Sequence, residues 1–432
     1  MHLTPSRRRR IVGACAAALV LPLAVTAGTA SAAPALPTLP APPPVTLAVP
    51  ALPTPPAPPP VTLAVPGVVT LSMKPGAVPA VVAPAPGSVP ADPHDAKIVG
   101  IAERPSPGQF DVTIWSPAMN RNILVHVLAP PGYDRAKTPA VTYPVVYLLD
   151  GLRAPNTTSD WVNKGGAVDF FKNKNALVVM SVGGGGSFFQ NWAANDPALL
   201  ALNHDSNLNP GPEASKLGWE TFLTNELPGV IEAPAGSPAI NGFPSIGGNQ
   251  NRAIAGLSMG GYSAFNLAAK HPGMYEAAAS YSGFPDSQAP GLPEFLQYVL
   301  SQQIGVTNPD NLWGPSTNPL WTANNPAGQA NIASLKSQVA QGLSLYMSAG
   351  TGLHGAHDAP VAFGGLSSEF VGSILEVVAN YSSQSFNQVA TLNNLPIATV
   401  DLSRPGIHSW GYWNDQLNYS WPQIAKAIHV TA

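Results

Sequence analysis

Residues 252–262 read RAIAGLSMGGY, and within them Gly256-Leu257-Ser258-Met259-Gly260 spells G-x-S-x-G. The pentapeptide carries chemistry only where it closes a buried strand and opens a helix. Both flanks fit. Ala253 to Ala255 form a short apolar, strand-like run, and YSAFNLAAKH (262–271) reads as a helix. Glycine at 256 and 260 removes the Cβ atoms that would collide where the strand reverses into the helix, so the Ser258 hydroxyl is exposed at the tip of the turn. The helix that follows aims its first N–H, that of Met259, and the positive end of its dipole at the place where an oxyanion would form. A serine so placed is a candidate nucleophile.

Around this stretch, FDVTIWS (110–116) and NILVHVLAP (122–130) alternate as half-buried strands do. PVVYLLD (144–150), ALVVMSV (176–182) and AIAG (253–256) are instead continuous apolar runs bounded by turns, which implies burial on both faces. Helical stretches such as WETFLTNELPGVI (219–231) lie between them. The expected class is α/β, a mostly parallel central sheet with helices on both faces, spanning residues 96–432.

The front of the chain reads differently. Four arginines at 7–10, an apolar run from Ile11 and the small residues Ala30-Ser31-Ala32 have the pattern of an export signal cleaved after Ala32. Residues 35–50 and 51–66 are a direct repeat, ALPTLPAPPPVTLAVP and ALPTPPAPPPVTLAVP, and at this proline density the 33–95 segment is expected to be a disordered, extended linker. The one cysteine, Cys15, falls in the signal, so no disulfide is expected and stability must come from a large core. Without residues 1–32 the chain loses four arginines and no acid, leaving 16 basic against 23 acidic residues and a net charge of −7. That balance gives no footprint for nucleic acid, and no H-E-x-x-H motif or clustered histidines suggest a metal.

A nucleophilic serine needs a base, and the chain order of this architecture is serine, acid, histidine. Five histidines follow Ser258: His271, His354, His357, His408 and His429. His271 closes the elbow helix, His429 sits in the last helix, and His354 and His357 lie in a glycine-rich turn. His408, in RPGIHSWGYW (404–413) just after the strand-like IATVDL (397–402), is placed where a loop carries a base to the carboxyl edge of the sheet. For the acid, the general pattern favours Asp358, which follows SLYMSAG (344–350) within a short loop, and Glu369 is a further candidate. Between nucleophile and acid, LPEFLQYVLSQQIGV (292–306) reads as an amphipathic helix, either a core face or a lining for a long apolar chain.

From about Tyr143 to Pro422 the chain resembles the antigen-85 family of mycolyltransferases, secreted enzymes of the α/β-hydrolase fold. The resemblance rests on YLLDGLRA (147–154), VVMSVGGGGSFFQNW (178–192), WETFLTNELPG (219–229), GLSMGG (256–261), LWGPSTNPLW (312–321) and above all HSWGYWNDQLN (408–418). It implies Ser258 as nucleophile, His408 as base and acid, and Glu376 in ILEVVANYSSQSF (374–386) as the acid that orients His408. It further implies Leu152 beside Met259 as the second oxyanion N–H, with Asp150, Arg153, Asp286, Ser409 and Trp410 around a sugar. The implied activity is transfer of mycolyl groups between trehalose mycolates or to arabinan, with no cofactor and no metal. A secreted carboxylesterase and a noncatalytic cell-wall carbohydrate-binding relative are the competing expectations.

Overall fold

Valine, leucine and alanine runs that expose almost nothing make the centre of the sheet. The computed structural model describes residues 95–106, 108–133, 142–209, 215–232, 246–358 and 368–430, together with two short strands, Thr62–Val65 (β1) and Val69–Ser72 (β2). The expected export signal lies outside the described residues. β1 and β2 form an antiparallel pair of their own, with Thr62 opposite Ser72 and Val65 opposite Val69. This ladder falls inside the proline-rich stretch, in VTLAV (61–65) and VVTLS (68–72), two proline-free runs that keep every backbone N–H.

The nine other strands are Lys97–Glu103 (β3), Gln109–Ser116 (β4), Arg121–Leu128 (β5), Tyr143–Leu149 (β6), Leu177–Ser181 (β7), Gly248–Leu257 (β8), Ala277–Tyr281 (β9), Ser344–Ser348 (β10) and Thr399–Asp401 (β11). They form one sheet in the order β11-β10-β9-β8-β6-β7-β5-β4-β3. β11 to β7 are parallel, and β5, β4 and β3 continue the sheet antiparallel. The burial patterns follow the sequence periods: β4 alternates between buried and half-buried, whereas β7 and β9 are buried throughout.

Period-two alternation along β6 divides two cores. Val145, Tyr147 and Leu149 face the elbow helix (Met259–Lys270) and the long acid helix (Ser368–Leu392). Val146 and Leu148 face the C-terminal helix (Trp410–Ala427), which contributes Trp413, Leu417, Trp421 and Ile424. Each fully buried valine or leucine stabilises the fold by roughly 1.5–3 kcal/mol, so Val145, Val146, Leu148 and Leu149 together favour the covered place of β6 between β7 and β8.

The helix expected at 219–231 forms with a π-helical turn, Phe222–Glu226, between two α-helical ends. Pro228 has no N–H to offer the carbonyl four residues back, and the Thr224 hydroxyl donates to the Glu220 carbonyl at 2.8 Å, so the α ladder is locally opened. The amphipathic stretch at 292–306 likewise changes from α (Leu292–Val299) to π (Leu300–Ile304), with Leu292, Leu296, Val299 and Leu300 buried.

At the turn after β8, a Cβ on Gly256 would overlap the Gly260 carbonyl, and one on Gly260 would stand 2.5 Å from the Leu149 carbonyl oxygen and 2.6 Å from that of Asp150. These neighbours are backbone and cannot swing away. Gly256→Ala is therefore expected to lose at least about 1–3 kcal/mol in urea unfolding. Gly229→Ala, exposed in a helix with nothing within 4 Å of its Cβ position, is expected to gain up to about 1 kcal/mol in the same measurement.

Candidate active site

Ser258 caps the elbow helix with φ +54° and ψ −118°, a conformation that costs a residue with a side chain on the order of 1–3 kcal/mol. The surroundings hold it there. Its N–H donates to the Tyr281 carbonyl on β9 at 2.8 Å, and the glycines at 256 and 260 admit the reversal. Ser258 Oγ lies 2.8 Å from His408 Nε2. On the far side of the ring, His408 Nδ1 lies 2.7 Å from Glu376 Oε2. A carboxylate only accepts, so the arrangement sets Nδ1–H toward Glu376 and leaves Nε2 to accept the Ser258 proton.

Each member is anchored from elsewhere. Glu376, 1% exposed, sits in the middle of the acid helix, where its Oε1 accepts from Ser282 Oγ at 2.7 Å and from the Gly350 N–H at 2.5 Å. Ser282 Oγ in turn accepts from Trp413 Nε1 at 2.9 Å. The His408 ring stacks edge-on against Trp413 at 4.9 Å and lies 6.5 Å from Phe284, while the backbone N–H of His408 donates to the Gly372 carbonyl of the acid helix at 3.0 Å. Ser282 and Trp413 were not foreseen in these positions. Nothing local in YSGF marks Ser282, although its φ of +49° does so in the structure.

The two other acid candidates point elsewhere. Asp358 accepts from the Gly355 N–H at 2.8 Å and from Tyr412, and Glu369 lies in the first turn of the acid helix, partly exposed. Of the remaining histidines, His271 Nε2 pairs with Glu220 at 2.9 Å and His357 Nε2 with Asp415 at 2.7 Å. Burial, the largest single influence on Glu220, raises its pKa, but the bonds from His271 and Lys270 together hold it below the ordinary value.

Met259 opens the elbow helix, so its N–H is one of the first-turn donors with no acceptor inside the helix. A Cβ on Gly151 would press on the Leu257 side chain at 2.7 Å and touch Ser258 Cβ at 3.7 Å, so the Gly151-Leu152 turn runs alongside the serine. That turn is supported from behind, because the Gly186 N–H donates to the Leu152 carbonyl at 2.8 Å. The Phe188 N–H meets Met259 Sδ at 3.2 Å and the Ser263 hydroxyl donates to the Phe188 carbonyl at 2.8 Å, tying the glycine loop to the elbow helix.

The five residues expected around a sugar fare differently. Arg153 is exposed, and its Nη2 donates to Gln303 Oε1 at 2.5 Å. Ser409 and Trp410 follow His408 directly, and Trp410 stacks edge-on against Trp161 at 5.5 Å and Trp413 at 5.3 Å. Asp286 is 7% exposed and its oxygens are taken within the protein, by Asn325 at 3.0 Å, the Gln288 N–H at 3.2 Å and Ser385 at 2.6 Å. Sequence reading set Asp286 toward a ligand; in the structure it ties the loop after β9 to the acid helix. Asp150 is 1% exposed, and neither of its carboxylate oxygens has a partner of good hydrogen-bond geometry. Burial pushes its pKa up to about 7, with the Asp160 charge adding to the rise and Ser159 and the backbone of Asp160 and Trp161 partly opposing it.

Comparison with known proteins identifies the family. The family profile named Esterase, described as "Putative esterase", matches residues 116–424. Diacylglycerol acyltransferase/mycolyltransferase Ag85B of Mycobacterium leprae (strain TN) is 31% identical over 290 residues, covering 66% of this chain and 76% of that protein. The chain belongs to the antigen-85 branch of the esterase family. The Ag85A protein of the same organism is 29% identical over 326 residues, covering 73% of this chain and 82% of the relative. Among solved structures, Mycobacterium tuberculosis MPT51 shares the fold with a TM-score of 0.52 at 24% identity, covering 72% of this chain and 96% of that one. Antigen-85 membership gives the class of chemistry, acyl transfer or ester cleavage, on an α/β-hydrolase fold. Among the described residues no helix is long and apolar enough to cross a membrane, and no group of histidine, cysteine and acidic side chains is arranged to hold a metal ion.

Two measurements test the electrostatics. Glu376→Gln is expected to lower turnover of a short-chain p-nitrophenyl ester by about 10³–10⁴-fold, and Asp358→Asn to leave it within a few-fold. For Asp150, a pKa of 3.8 unfolded and about 7 folded means that the native state binds more protons between those values. Native stability therefore falls as pH rises from about 4 to about 7, and the loss is complete above that range. In urea unfolding, Asp150→Asn is expected to gain on wild type across this window, by at most about 4 kcal/mol.

Proposed function

We propose that this chain is a secreted acyltransferase that moves a mycolyl group from trehalose monomycolate to a second trehalose monomycolate or to cell-wall arabinan, through an acyl-enzyme on Ser258. In this reading residues 1–32 are the export signal, 33–95 a spacer and 96–432 the catalytic domain. The observation that carries the proposal is the unbroken relay from Ser258 Oγ through His408 to Glu376, with both hydrogen-bond distances under 3 Å.

Ser258 Oγ attacks the ester carbonyl as its proton passes to His408 Nε2, and Glu376 stabilises the imidazolium so formed. The N–H groups of Met259 and Leu152 take the developing oxyanion. Nε2 then protonates the departing trehalose oxygen, leaving the acyl group on serine. A sugar hydroxyl of the acceptor gives its proton to Nε2 and attacks the acyl carbon, and Nε2 passes that proton to Ser258 Oγ as its bond to the acyl group breaks, which restores the free enzyme. Asp150 and Arg153 flank the Gly151-Leu152 turn and Ser409 and Trp410 follow His408 in the chain, and these four are proposed to bind the sugar. Phe295 is half-buried and packs 6.5 Å from Phe284, which itself neighbours His408, so this apolar side of the site is proposed to receive the lipid chain.

Incubation of the purified protein with trehalose monomycolate is expected to yield trehalose dimycolate in excess over free mycolic acid. Ser258→Ala should abolish product and covalent labelling by a serine-directed phosphonate. Free acid as the sole product would replace transfer by hydrolysis, and labelling that persists in the variant would remove Ser258 from the mechanism.

A further inference from the structure

Arg121 opens β5 and is 3% exposed. Its Nη1 donates to the Asn203 carbonyl at 2.7 Å, but Nε and Nη2 are buried with no hydrogen-bond partner. The guanidinium carbon lies 5.8 Å from the centre of the Trp219 ring, whose own Nε1–H is also buried and unpartnered. The ring covers one face of the cation without supplying an acceptor at its edge. Glu226 spends its oxygens on Ser116, the cross-strand neighbour of Arg121, and on the Ala118 N–H. Among the described residues no carboxylate pairs with Arg121. Its pKa is pushed down to about 10 by burial alone, so it remains charged at neutral pH.

A buried guanidinium without a counter-charge is among the most unfavourable arrangements a fold can contain, and buried donors without acceptors add to the cost. We propose that Arg121, with the Trp219 indole N–H beside it, holds a small monovalent anion of the halide class, chloride in ordinary solution. Donors are present and acceptors are lacking, which selects an anion over a cation. The ion's effect reaches the active site by a short path. Asn203, whose carbonyl takes Nη1, accepts from the Gly184 N–H at 2.5 Å and donates to the Gly185 carbonyl at 2.9 Å. Gly186 then supports the carbonyl of Leu152 at 2.8 Å. Fixing Arg121 therefore steadies the glycine loop that backs the Leu152 turn.

The full chain, purified in gluconate, would be titrated with chloride and with bromide at constant ionic strength. Expected are a saturable rise in Tm of roughly 5 °C and a rise in ester turnover with the same half-saturating halide concentration, both lost in Arg121→Met. Crystals grown in bromide should show an anomalous peak within hydrogen-bond distance of Nε and Nη2. Equal Tm in chloride and gluconate would overturn the site. So would water alone, or a carboxylate of this chain, at the two nitrogens. A Tm rise without any change in turnover would overturn the coupling to the Leu152 turn. Should Arg121→Met fail to fold, the wild-type titration and the bromide peak still decide, and neither depends on the identity of the acyl substrate.

Discussion

The site depends on how closely two pieces of backbone approach each other. The elbow helix begins against the end of β6, with the Gly260 Cα so near the Leu149 and Asp150 carbonyls that a Cβ would stand 2.5 and 2.6 Å from them. That approach turns the chain back sharply enough to hold Ser258 at φ +54°, starts the elbow helix at the very next residue, and brings the Gly151-Leu152 turn alongside. Any side chain in the gap would push the helix outward and separate these features together.

Around that fixed point the structure collects a base and an acid from distant segments, His408 lying 150 residues and Glu376 118 residues beyond the serine in numbering. Glu376 receives two hydrogen bonds besides that of His408, so its charge is shared rather than left isolated in an almost dry position. Trp413 takes part twice, packing on the His408 ring and donating to Ser282. One residue of the C-terminal helix thus helps orient both partners.

How far these features could be read from the amino acids varied with how local each was. The elbow was legible because G-x-S-x-G, the strand before it and the helix after it are consecutive. The continuous runs of β6 and β7 were legible for the same reason. β9 was not, since AAASY is mostly alanine, a residue that favours helices and becomes strand only through burial between β8 and β10. Glu376 was visible only by resemblance. An acid in the middle of a helix looks solvated until the fold shows which face is covered, whereas Asp358, in a more conventional place, turned out to hold Tyr412. The two π turns and the unpaired state of Arg121 depend on backbone register and on neighbours far away in the chain, and neither leaves a local signal. Asp286 was read as facing a ligand for want of its internal partners, which come from residues 39 and 99 positions downstream.

The acid helix holds more than the acid. Glu376 projects from its middle, and one turn earlier the Gly372 carbonyl takes the backbone N–H of His408. Acid and base therefore share one mount, while the serine stands on another, the sheet. The backbone of that helix therefore sets the height of both groups against the hydroxyl, while Ser282, Gly350 and Trp413 fix their orientation from the other side.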